Sequence, residues 1–107
     1  MKEILEQLSQ KYLFKTFYEI DKASLNTKKQ MKIFEGVDFK DYYHLVFELK
    51  QKSHFLVKHA EMIISLEKCM VLRVQHNYKY KHLFLNTTLC SKALQKLQNE
   101  QWMVSFL

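Results

Sequence analysis

A chain of 107 residues is expected to form one domain and to bury roughly two-thirds of its unfolded surface without metal or disulfide staples. With Gly36 as its only glycine and no proline, it cannot build the GxGxxG or GxxxxGK[ST] loops whose tight turns bring backbone against phosphate, so those nucleotide-binding classes are excluded. The net charge of +6 rests on lysine, with Arg73 the only arginine, which suits neutralising phosphates better than bidentate reading of guanine.

In chain order, Leu5, Leu8, Tyr12, Phe17 and Ile20 mark an amphipathic helix over 1–22, with Glu3 and Glu6 near its positive end. The polar, aperiodic 23–30 reads as a loop, Met31–Glu35 as a short strand, and Gly36 as a turn with positive φ. Tyr42 to Lys50 alternates as a strand. After Ser53 as cap, Leu56, Ala60, Ile63, Met70 and Val74 hold a helical stripe to about residue 75. Residues 69–76 also alternate, so a strand there stays open, as does a single coiled-coil helix over 41–75.

Residues 79–85 have a period of two and strand-forming aromatics. Asn86, Thr87 and Thr88 then offer helix caps before Leu89, Ala93, Leu94 and Leu97, and the apolar run from Trp102 to Leu107 suits a strand covered on both faces. The expectation is therefore a single α/β or α+β domain: a small mixed sheet covered by two to three helices, with the mixed core at 31–107.

The segment 77–98 holds four lysines and no carboxylate. Lys79, Lys81, Lys92 and Lys96, with the amides and hydroxyls of Asn86, Thr87 and Thr88 at a helix start, make a candidate anion site, although the same residues also serve as ordinary caps and solvated charges. Tyr78 and Tyr80 between those lysines could stack bases. Asp38, followed by Glu48-x-Lys50 at the end of a strand, resembles the metal core of PD-(D/E)xK nucleases, with Val37 where that family has proline. The resemblance implies that Asp38 and Glu48 hold Mg²⁺ and that Lys50 positions the attacking water.

His44, His54, His59, His76 and His82 have no metal-ligand spacing and read as structural, so no metal site and no cofactor is expected. Cys69 and Cys90 are too few and too far apart for a scaffold or a CxxC motif and fit a reducing cytoplasm as unpaired, buried thiols. The N-terminus is not signal-like, and no apolar run reaches the length of a membrane span.

These residues point first to a small basic cytoplasmic protein that binds nucleic acid or another polyanion without strong sequence preference. An interaction adaptor or subunit, docking on a protein partner or on its own copy through its helices, is the second reading, and a metal-dependent nuclease the third. Binding is favoured over catalysis.

Overall fold

The structure, a computed structural model, describes residues 2–20 and 31–106. It consists of α1 (Lys2–Ser9), β1 (Phe14–Ile20), β2 (Met31–Asp38), β3 (Tyr43–Leu49), α2 (Val57–Val74), β4 (Tyr80–Leu85), α3 (Ser91–Asn99) and β5 (Trp102–Phe106). The five strands form one mixed sheet in the order β1-β2-β3-β4-β5. The first three are antiparallel neighbours, while β3, β4 and β5 are parallel and joined by crossover helices, as parallel neighbours require. The mixed sheet with three helices is the architecture expected, and β4-α3-β5 is the βαβ unit expected.

Two apolar clusters hold the layers together. Met31, Ile33, Leu45, Phe47, Leu49, Leu83, Leu85 and Trp102 meet Ala60, Ile63 and Met70 of α2 and Ala93 and Leu97 of α3 on one face. On the other, the smaller set Phe34, Val46 and Phe84 is covered by Ile4 and Leu8 of α1. Strands β3 and β4 are thus buried on both faces.

The helix expected over 1–22 is corrected: it ends at Ser9, and Phe14–Ile20 is a strand. Phe17 and Ile20, three apart, suggest one helical face, but as strand residues they lie on opposite faces of the sheet, Phe17 with the α1 cluster and Ile20 with the α2 cluster. A bulge also interrupts β1: Phe14 pairs with Asp38 and Thr16 with Val37, so Lys15 is left over, and Phe14 and Phe17 both lie against Gly36. The loop expected at 23–30 lies outside the described residues.

Gly36 is not in a turn. It sits within β2, and no described glycine has positive φ; a Cβ there would lie 2.9 Å from ring carbons of Phe14 and Phe17, so its role is close approach. The hairpin turn falls at Asp41, with φ 66°.

Residues 57–74 are helical, which settles 69–76 as helix except for its end, where Gln75 takes a left-handed conformation and donates its N–H to Val71 O. Neither the strand at 69–76 nor the long helix over 41–75 forms. Ser53 is not the cap of α2: Leu56 is, and its N–H donates to Nδ1 of His59 at 2.9 Å. β5 is an edge strand with Met103 and Phe106 exposed, not a strand covered on both faces. No described helix is long and apolar enough to cross a membrane.

Both cysteines are free, but only Cys90 is partly covered, whereas Cys69 lies exposed on α2. A thiol reagent added without denaturant is expected to label Cys69 rapidly and Cys90 more slowly, as mass spectrometry of the digested protein would show. Equal rates at the two positions would contradict this placement.

Candidate nucleic-acid interface

The lysines of 77–98 do not form one patch. β4 runs its full length between Lys79, just before it, and Lys92, at the start of α3, which separates them by about 20 Å at ~3.3 Å per residue. Lys81 is turned into the protein, where its Nζ lies 3.1 Å from Glu67 Oε1 and 5.7 Å from the centre of the Trp102 ring. Lys96 pairs with Glu61 at 3.3 Å. Lys92 is exposed.

The junction after β4 is also occupied. Asn86 Oδ1 accepts the N–H of Gln51 at 2.9 Å, Thr88 bonds His54 through its hydroxyl, and Thr88 O accepts from Phe55 N. Thr87 is half-buried. Helix α3 starts later than these residues suggest, capped by Cys90, whose Sγ accepts from Ala93 N at 3.4 Å. The segment before α2 uses the polar groups that sequence alone would leave to an anion.

Tyr78 is buried and donates to Glu35 Oε1 at 2.8 Å, so it cannot stack bases. The same carboxylate accepts from the Tyr18 hydroxyl and lies 3.2 Å from His76 Nε2. The hydrogen bond to Glu35 pushes Tyr18 up to about 12, whereas in Tyr78 burial is the larger cause of a rise in the same direction.

Asp38, Glu48 and Lys50 do not converge. β2 and β3 are antiparallel and Glu48 stands opposite Lys32, six residues from Asp38, so the two carboxylates lie at opposite ends of the hairpin, ~20 Å apart. A divalent cation needs oxygens within ~2.0–2.6 Å. The β2 position facing Glu48 carries a cation of its own, Lys32, and Lys50 Nζ is 3.8 Å from Glu48 Oε1. Among the described residues no group of three or more His, Cys, Asp or Glu could hold a metal ion. The donor set does not fit the ion that the resemblance implies.

Asp38 instead anchors a buried polar chain. Its Oδ1 accepts the N–H groups of Lys40 at 2.8 Å and Tyr42 at 3.0 Å, and its Oδ2 lies 2.9 Å from His44 Nε2. His44 Nδ1 is 3.1 Å from His82 Nε2, with the two rings nearly coplanar at 4°. Burial alone would raise the Asp38 carboxyl, but the bonds from His44 and the two amides outweigh it and hold it below its ordinary value. Burial lowers His44 despite Asp38, and pushes His82 down to about 3. Both imidazoles are neutral near pH 7.

Above this chain lies a cluster that the sequence scatters over four segments. Tyr12 packs against Tyr80 at 5.0 Å and edge-on to His44 at 4.6 Å, and a cleft of about 280 Å³ is lined by Lys11, Tyr12, Phe39, Lys40 and Tyr80 over the Asp38 turn. Lys79 stands 4.2 Å above the Tyr42 ring and 5.9 Å from Tyr80. Phe39, which shares the cleft with Lys11 and Lys40, is 65% exposed. Of these residues only Lys79 and Tyr80 stood out in the sequence, because the alternation at 79–85 placed them on a strand.

No protein-family model matches the chain, and no curated protein does. Among solved structures it is similar to the apo form of EndoMS, with a TM-score of 0.59 and 11% identity over 99% of this chain and 45% of that one. It is also similar to a repair endonuclease from Pyrococcus abyssi, with a TM-score of 0.60 and 14% identity over 99% of this chain and 44% of that one. At these identities the likeness is one of fold, and the chain spans less than half the length of either protein.

Proposed function

We propose that the protein binds nucleic acid, or a polyanion of similar spacing, through the cleft between the segment that follows α1 and the β2–β3 turn, with lysines on the phosphates and aromatic rings against the bases. The observation that carries this reading is the convergence of Lys11, Lys40 and Lys79 with Tyr12, Phe39, Tyr42 and Tyr80. Lysine ammonium groups neutralise phosphate without selecting a base, and an aromatic face accepts every base, so affinity should depend on charge far more than on sequence. The fold shared with the repair endonuclease from Pyrococcus abyssi supports the same partner class. Hydrolysis on a metal held by Asp38 and Glu48 is not part of the proposal.

If each of the three lysines neutralises one phosphate of a single strand, the slope of about −0.7 per contact gives roughly a 20-fold loss of affinity between ~50 and ~200 mM salt. Replacing Lys11, Lys40 and Lys79 together by glutamine should flatten that dependence, as fluorescence anisotropy with a labelled oligonucleotide would show. Lys81→Gln and Lys96→Gln should leave it unchanged, because Glu67 and Glu61 already hold those ammonium groups. No binding at low salt, or a slope that survives the triple substitution, would remove this reading and leave the protein-interaction adaptor in its place.

A further inference from the structure

The chain Asp38–His44–His82 fixes the protons along its length. An ionised carboxylate only accepts, so His44 carries its proton on Nε2, bonded to Asp38, and presents a lone pair at Nδ1. That lone pair accepts from His82, whose proton is therefore on Nε2. The remaining nitrogen, His82 Nδ1, is left as a bare acceptor. Among the described residues it has no hydrogen-bond partner, and His82 is 4% exposed.

Trp102 Nε1 is the one buried side-chain polar atom without a partner among the described residues, so His82 Nδ1 is not sealed off: it opens onto a surface that a donor can reach. The His82 ring lines a cleft of about 210 Å³ on the other side of Tyr12 from the lysine cluster, shared with Gln10, Lys11, Met103 and Ser105. In the lining of the same cleft Lys11 offers a cationic donor and Gln10 an amide donor, while Tyr12 offers an aromatic face. An acceptor set among donors complements an edge in which one N–H lies between two carbonyl oxygens. Among the nucleobases that edge is the imide of uracil and thymine.

We infer that the His82 cleft is a base subsite for uracil or thymine, with N3–H donating to His82 Nδ1, the flanking carbonyls facing Lys11 and Gln10, and the ring against Tyr12. The inference rests on the nucleic-acid reading above and adds a preference confined to one nucleotide. Lys11 and Tyr12 line both clefts, so a strand crossing the lysine cluster would pass beside this subsite.

Nucleosides test it, because they carry no phosphate and so probe the base subsite without the phosphate contacts of Lys40 and Lys79. In protein labelled with ¹⁵N at histidine, uridine and thymidine should move the His82 Nδ1 resonance saturably. Cytidine and 3-methyluridine, which lacks the N3 proton, should need at least about tenfold higher concentration for the same shift. Met103→Trp, which fills the cleft from an exposed position and leaves the Asp38–His44–His82 chain intact, should abolish the uridine effect. The inference is overturned if 3-methyluridine acts as well as uridine, if no nucleoside shifts the resonance, or if the Met103 variant responds as the wild type does. Oligonucleotide binding with a normal salt slope and no nucleoside response removes the subsite alone, whereas no oligonucleotide binding removes the reading beneath it.

Discussion

Acidification from pH 7 to pH 4 should cost the fold roughly 3 kcal/mol through His82 alone, at about 1.36 kcal/mol per unit of pKa displacement. In the unfolded chain this imidazole takes its proton near its ordinary 6.5, but in the fold burial, the His44 ring and the Lys11 charge delay protonation until about 3. The unfolded state therefore binds the extra proton throughout that window. The stabilisation is complete above pH 6.5 and is lost progressively as the pH falls toward 3. His44, lowered by burial, adds to the loss with the same sign, and Asp38 extends it below the ordinary carboxylate range. Urea midpoints at pH 7, 5.5 and 4 measure the effect. His82→Gln keeps a donor for His44 and should flatten the profile, and a wild-type midpoint that ignores pH would contradict a buried, neutral His82.

Phe34→Ala should destabilise the protein by about 3–5 kcal/mol, a large part of the ~5–15 kcal/mol that holds a domain of this size together. Phe34 is fully buried and lies at the centre of the smaller cluster, stacked on Phe17 with centroids 5.5 Å apart and packed with Ile4, Leu8, Val46 and Phe84. The main cluster on the other face has many more members to share a loss. Here a single cavity removes most of what α1 rests on. Chemical denaturation should show the drop, and hydrogen exchange should show the α1 amides losing protection before those of β3 and β4. Uniform loss of protection would mean that α1 is not a separate layer of stability.

Most of the two parallel crossovers was legible, since Tyr43–Leu49 alternates, 57–74 carries a helical stripe and 80–85 alternates again, although the alternation at 69–76 and the near-heptad over 41–75 left rival readings that only the structure removed. Misreadings have local physical causes. In β1, Phe17 and Ile20 keep a helical spacing only because each packs on a different apolar face of the sheet, and Gly36 serves the approach of Phe14 and Phe17 instead of a turn. The nuclease-like trio failed because sequence spacing does not reveal hairpin register. With the turn at Asp41, a residue just before it can never meet one seven residues after it. The lysine cluster was hidden for the opposite reason, since Lys11, Lys40 and Lys79 are far apart in the chain and are brought together only by the order of the strands. His82 looked like one of five isolated histidines, and only the pairing of β3 with β4 sets it beside His44.

The strands lie side by side in the same order in which the chain presents them. No strand has to be inserted between two that are already paired, and each later one finds a finished edge to join. The hairpin closure from Asp38 to Tyr43 is short, whereas the parallel closures run from Leu49 to Tyr80 and from Leu85 to Trp102, the slower kind of pairing. A chain emerging from the ribosome could add this sheet one strand at a time, beginning with the antiparallel three. The Asp38–His44 bond would be available at that point, with Gln10, Lys11 and Tyr12 already made, and His82, Met103 and Ser105 would complete the second cleft only with the parallel half.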